Sequence, residues 1–206
     1  MPNPWLAIPL EDYEGHMSAP GVRQLTALAD LFKRALDHFC PESLAVLGVA
    51  GGNENVDCVV TKRIVGVDIN QRFLDVVQRR FGALPGLELH CCDLAQPDFS
   101  LEPVALVHAA LVFEHMGLGF PLANALSLVG PGGSFSAVLQ LPSENQQAVA
   151  CTGYASMQSL KPDFTLIDVG EFQRLLAQRG FHLVEHERRS VPGGKALWLG
   201  IFERSL

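Results

Sequence analysis

The stretch Leu47-Gly48-Val49-Ala50-Gly51-Gly52-Asn53-Glu54 follows a short apolar run and reads as a glycine-rich turn. Such a turn brings backbone close to a ligand and aims amide N–H groups at it. Twenty residues beyond Gly48 stands Asp68, near the end of a second apolar run, Val65-Gly66-Val67-Asp68-Ile69-Asn70. A carboxylate at such a strand tip can accept from both hydroxyls of a ribose. Asp93, in Cys92-Asp93-Leu94, follows a third run and is placed to accept from an exocyclic adenine amine. Turn, acid and second acid, in order on three strand ends, could hold one adenosine. Each also has a plainer role. The turn could be a tight turn and nothing more, Asp68 and Gln71 stand at capping-box spacing, and Asp93 could close an Asx-turn.

A nicotinamide or flavin site would need glycine at positions 50 and 53, where Ala50 and Asn53 stand. A pyrophosphate would lack its cradle in this turn, which favours a nucleoside ligand without phosphates.

The elements that must position these residues alternate. SLAVLGVA (43–50), RIVGVDI (63–69), LELHCCD (87–93), VALVHAALVF (104–113) and SFSAVLQLP (134–142) read as strands. Apolar three- and four-residue steps predict helices over 21–39, 70–81, about 119–129 and 168–179. Gly130-Pro131-Gly132-Gly133 is expected to close the third of these. FHLVEHERRSV and ALWLGIFER, joined by Pro192-Gly193-Gly194-Lys195, predict a terminal hairpin. Residues up to Pro20 read as irregular, with Pro2, Pro4, Pro9 and Pro20 interrupting any period, yet Trp5, Ile8, Tyr13 and Met17 make the segment too apolar for a free tail. The expected fold is therefore α/β: a doubly wound, mostly parallel seven-stranded sheet with an antiparallel C-terminal hairpin and an N-terminal cap. One domain is expected, with residues 1–40 as cap and first helix and 41–206 as core.

With 48% of residues hydrophobic and 18% charged, the chain can fill a large core, which excludes disorder. A net charge of −7 with no basic block argues against a nucleic-acid partner. The pairs Arg79-Arg80 and Arg188-Arg189 read as solvated surface. Five cysteines without zinc spacing point to a reducing, cytoplasmic setting and to no metal. The longest apolar stretch, Val104 to Phe113, is too short to span a bilayer.

LAVLGVAGGNE, VGVDIN, CCDLA and LSLVGPGGSF resemble the successive motifs of class I S-adenosylmethionine (SAM)-dependent methyltransferases over residues 44–140. The terminal hairpin resembles that family's last two strands. WLAIPLEDYEGHMSAPGV together with VHAALVFEHM further resembles a bacterial subgroup of these proteins. The resemblance implies the Rossmann-like methyltransferase fold with SAM as cofactor. It places Gly48, Ala50 and Gly51 beside the methionine part, Asp68 on the ribose, Ile69 and Asp93 around the adenine, and His108 and Ala109 toward the methyl region. Val49, Asn53, Asn70, Cys92 and Leu94 complete the implied cofactor set. Three positions depart from the family pattern: Val46 and Ala105 replace usual acids, and Ala50 replaces a usual glycine. His108-Ala109-Ala110-Leu111 stands where nucleobase methylases carry Asn-Pro-Pro-aromatic, which disfavours DNA methylation.

The acceptor is expected to be a small molecule taken by a monomer or homodimer. Tyr13, His16, Glu114, His115 and Tyr154 are the candidates to line its pocket, with His115 the candidate base and Glu114 otherwise a helix-start or surface acid. Tyr13 and His16 are expected to act as a lid. The alternatives are a catalytically weak SAM-binding or regulatory protein and a nicotinamide-dependent oxidoreductase.

Overall fold

The computed structural model describes residues 3–52, 60–143 and 149–205. Seven strands form one sheet: β1 (Ser43–Leu47), β2 (Arg63–Asp68), β3 (Leu87–Cys91), β4 (Val104–Ala110), β5 (Val129–Gln140), β6 (Phe181–Ser190) and β7 (Ala196–Arg204). Their order is β3-β2-β1-β4-β5-β7-β6. The first five pair in parallel, and β7 runs antiparallel to both β5 and β6. The order reverses between β1 and β4, so a crevice opens there beyond the carboxyl ends of the strands.

Period-two alternation decides what each face packs against. In β7, Leu197, Leu199 and Ile201 meet Leu28, Leu31 and Ala35 of helix α2 (Gln24–Phe39). Trp198 and Phe202 point the other way, into a cluster with α5 (Phe120–Ser127) and α6 (Val169–Ala177). β4, the middle strand, is apolar on both faces and sealed between these layers. Helix α3 (Gln71–Phe81) buries Phe73, Leu74 and Val77 beside β2 and β3.

Two expectations are corrected. Leu10–Ser18 forms helix α1 where an irregular segment was expected. The prolines bracket this helix and do not break it. Pro4 opens a 3-10 turn, Pro9 is the residue before α1, and Pro20 follows it, all sites where a missing N–H costs nothing. The second correction concerns the Gly-Pro-Gly-Gly stretch, which belongs to β5. From Val129 to Ser134 the strand advances five residues while β4 advances two, Val104 to Leu106, so three extra residues bulge outward. Gly132 sits there at φ +65°, and a Cβ on Gly133 would press on the Ala105 carbonyl. The remaining helices begin and end within a few residues of their predicted bounds, with Asn70 and Asp168 as N-caps of α3 and α6.

Candidate functional site

A cavity of about 1110 Å³, part of it open to solvent, lies over the carboxyl ends of the strands beneath α1 and the N-terminal 3-10 turn.

The turn after β1 is held from below, where the Gly48 and Val49 N–H groups donate to the Val67 carbonyl at 2.8 and 3.2 Å. Gly48 has φ +71°, and a Cβ there would meet the Val112 side chain. Ala50 is left-handed too, at φ 46°, a conformation that costs a non-glycine residue about 1–2 kcal/mol. This strained backbone aims the Ala50 N–H at the Asp68 carboxylate (3.0 Å), whose other oxygen accepts from the Asn70 N–H (2.9 Å). Burial raises the pKa of Asp68, opposed by backbone donors from Asn70, Ala50 and Ile69. These donors use only part of the carboxylate's acceptor capacity, and Asp68 lines the cavity. The capping role belongs to Asn70, whose side chain accepts from the Arg72 N–H while its amide donates to the Trp5 carbonyl at 2.8 Å.

Gly48, Ala50, Asp68, Ile69, Cys92 and Leu94 stand together on the cavity wall. Val49 is tucked against Gly66, and Gly51 lies under an ion pair between Glu14 of α1 and Arg80 of α3. Arg80 also donates to the Gly51 carbonyl at 2.9 Å, so it is not plain solvated surface. Asn53 lies outside the described residues. Asp93 is off the wall. Its oxygens accept from the Ala95 N–H (2.9 Å) and the Gln96 side chain (3.0 Å), the geometry of an Asx-turn. Asn124 of α5 fastens that loop by donating to the Leu94 and Gln96 carbonyls, a role with no signal in the sequence.

At the end of β4 the wall is made by Ala110, Leu111 and Val112, one to three residues beyond the expected pair. His108 and Ala109 are sealed in the core. The His108 ring stacks on Phe32 at 4.7 Å, its Nδ1 meets the Ser136 hydroxyl at 2.7 Å, and burial lowers its pKa to about 3. Residue 108 faces α2 and lies two positions short of the strand end, whereas Ala110, on the same face, is the one that reaches the cavity.

Tyr13, His16 and His115 line the far part of the cavity. His115 stands edge-on to Trp5 and Phe164, each at 5.0 Å, and burial lowers its pKa to about 4. It is a neutral ring at pH 7 and a weak base. His16 Nδ1 meets the Thr152 hydroxyl at 2.8 Å. Burial, then the Lys195 charge, lowers its pKa. Tyr154 is off the wall, packed over Gly15 of α1. Glu114 starts the short helix α4 (Phe113–Met116) as expected, but it is buried and not a surface acid. It accepts from the Gln140 N–H at 2.7 Å. The chemically pertinent wall residues that sequence reasoning missed are Trp5, Gln24, Gln140 and Lys195. Their positions in the chain carry no shared pattern, since four separate elements bring them together.

Among the described residues no group of three or more His, Cys, Asp or Glu side chains could hold a metal ion, and no helix is long and apolar enough to cross a membrane. No protein-family model matches the sequence, and no curated protein matches it either. Solved structures do share the fold. N-methyltransferase NodS from Bradyrhizobium japonicum, in complex with S-adenosyl-L-homocysteine (SAH), is similar with a TM-score of 0.64 at 15% identity, over 88% of this chain and 86% of that one. Magnesium protoporphyrin IX methyltransferase (ChlM) from Synechocystis, with bound SAH, gives 0.65 at 13% identity, over 89% and 82%. An S-adenosylmethionine-dependent methyltransferase from Mesorhizobium loti gives 0.63 at 15% identity, over 84% and 98%. The chain has the Rossmann-like fold of class I SAM-dependent methyltransferases, with its antiparallel C-terminal hairpin.

Proposed function

We propose that this chain is a SAM-dependent methyltransferase, a single domain acting on a small-molecule acceptor. The observation that carries the reading is Asp68: a buried carboxylate at the tip of β2, fixed by backbone amides and lining the cavity. A carboxylate so placed suits the hydroxyls of a ribose. Ile69, Cys92 and Leu94 supply the apolar walls for an adenine, and Gly48 and Ala50 the close backbone for the methionine part. When bound, SAM supplies a methyl group made electrophilic by its sulfonium. The chain's own residues then have three tasks: to bind the cofactor, to orient an acceptor in line, and to exclude water. Tyr13 and Trp5, carried by α1 and the turn before it, cover the cavity and serve the last of these. His115 contributes to the wall between Trp5 and Phe164, where burial holds its imidazole toward the neutral form.

Calorimetric titration with SAM and SAH tests this, with NADH as control. The parent protein is expected to bind both sulfur ligands at micromolar Kd and NADH not at all. Loss of two charge-assisted hydrogen bonds should weaken binding at least about tenfold in Asp68→Asn and Asp68→Ala. A folded protein that binds neither SAM nor SAH would overturn the reading.

A further inference from the structure

We propose that the methyl acceptor is a hydroxylated aromatic molecule, lying along a row of rings on the cavity wall with its hydroxyl hydrogen-bonded to His115. This rests on the preceding reading, in which SAM takes the end of the cavity nearest Asp68.

Five rings from separate parts of the chain line the cavity: Phe73 of α3, Tyr13 of α1, Trp5 of the N-terminal 3-10 turn, His115 of α4, and Phe164. They stand in succession. Ring centroids are 6.5 Å apart from Phe73 to Tyr13 and 5.8 Å from Tyr13 to Trp5. The steps from Trp5 to His115 and from His115 to Phe164 are 5.0 Å each. The row starts in the first turn of α3, directly after the strand that ends in Asp68, so one end of it lies near the proposed cofactor.

Trp5 and Phe164 both meet the His115 ring edge-on, at 89° and 82°. Such pairs gain from the quadrupole of each ring, and an aryl ligand extends the same contacts where a saturated one does not. Met116 and Met157 add thioethers to the wall, groups that also pack favourably on aromatic rings. The N-terminal turn, α4 and the 3-10 segment Ala155–Asp163 bring no Asp, Glu, Lys or Arg to the described wall. The ring body therefore meets no charge from these elements.

Packing alone does not account for His115. Its Nδ1 is buried and has no hydrogen-bond partner among the described residues, a cost that a phenylalanine in the same place would avoid. Nε2 is left to meet a ligand, and burial keeps the ring neutral at pH 7. According to tautomer, a neutral imidazole presents an N–H or a lone pair there. A hydroxyl answers either, because it both donates and accepts.

The test uses the full chain saturated with SAH and titrated with 4-propylphenol, 2-naphthol and 4-phenylphenol. Each is paired with the arene that lacks the hydroxyl (propylbenzene, naphthalene, biphenyl) and with the ring-saturated alcohol of the same skeleton. At least one phenol should bind tenfold or more tightly than both its partners. His115→Phe keeps a ring and removes the nitrogens, so the advantage over the arene should fall to twofold or less. It should largely return in His115→Gln. Trp5→Leu, which leaves His115 in place, should cut the advantage over the saturated alcohol at least threefold. The proposal is overturned if no phenol outbinds both partners tenfold, if the hydroxyl advantage survives His115→Phe, or if Trp5→Leu changes nothing. A tenfold loss of SAH affinity in His115→Phe would also overturn it, by assigning the imidazole to the cofactor. Failure of SAH to bind the parent protein would be the separate failure of the methyltransferase reading.

Discussion

Glu114 shows how little room a buried acid has here. It is 1% exposed. One oxygen accepts from the Gln140 N–H, the other has no hydrogen-bond partner among the described residues, and burial raises its pKa from 4.5 to about 7. Between those values the folded state holds a proton that the unfolded chain has released. Stability therefore falls as pH rises through that window, by on the order of 3 kcal/mol. Glu114→Gln keeps the acceptor for Gln140 and cannot ionise. The histidine contributions are common to parent and variant, so urea unfolding at pH 5 and pH 8 should show Glu114→Gln gaining on the parent by about 2–3 kcal/mol between the two pH values. An equal change in both proteins would mean that Glu114 ionises without penalty. The two histidines act in the opposite sense. His108 and His115 have pKa values pushed below 6.5, so they cost stability as pH falls through the window beneath that value.

Among the elements, α1 does most to turn an open crevice into a cavity. Several side chains tie it to the rest of the molecule. Glu14 pairs with Arg80 over the Gly51 backbone, Asp12 accepts from the Ser156 hydroxyl, His16 meets the Thr152 hydroxyl, and nearby the Trp5 carbonyl accepts from Asn70. Glu14 and Arg80 are 24% and 39% exposed, so their pair contributes no more than about 0.5–1 kcal/mol to global stability. Its larger effect is local, since Arg80 also donates to the Gly51 carbonyl of the turn that the proposed cofactor site uses. Glu14→Ala should shift the unfolding midpoint little yet weaken SAH binding severalfold, chiefly through faster dissociation. Stopped-flow displacement would check this, and an unchanged off-rate would show that α1 stays closed without the pair. The same contact explains a fold expectation that failed. The prolines suggested irregularity, whereas Leu10, Tyr13 and Met17 already stand at helical spacing inside them.

At the scale of the molecule, apolar clusters on both faces of the sheet support the site from below. One joins β7 to α2, and the other joins β7 and the central strands to α5 and α6. Among the described residues, β1, β2 and β4 each run from this core directly to the cavity. A ligand that binds only the folded state should therefore stabilise the whole domain. SAH at a hundredfold excess over its Kd would add about 2.7 kcal/mol. For a chain of this length that raises the thermal midpoint by roughly 5–11 °C. Differential scanning calorimetry with SAH, and with NADH as control, reads this directly. No shift with SAH would mean that it does not bind the native state.

The strand runs were legible in the sequence, because period-two and period-3.6 burial are local properties of a chain. So was the place of Asp68 at a strand tip, since a turn, a strand and an acid in succession leave few places for the side chain to go. The wall beyond β4 was not legible. Whether His108 or Ala110 reaches the cavity depends on where the strand stops and on the face its pleat presents to α2. Asp93 illustrates the same limit: the acid stands after β3 as expected, yet its side chain is engaged by its own turn. Lys195, His16, Gln24 and Gln140 lie in parts of the chain up to 179 positions apart, counting from His16 to Lys195, and no local pattern links them. Local sequence determined the elements and the Asp68 end of the cavity, where wall residues sit on consecutive strand tips. Only the tertiary structure decided the opposite end, because its shape arises from side chains that meet solely through packing.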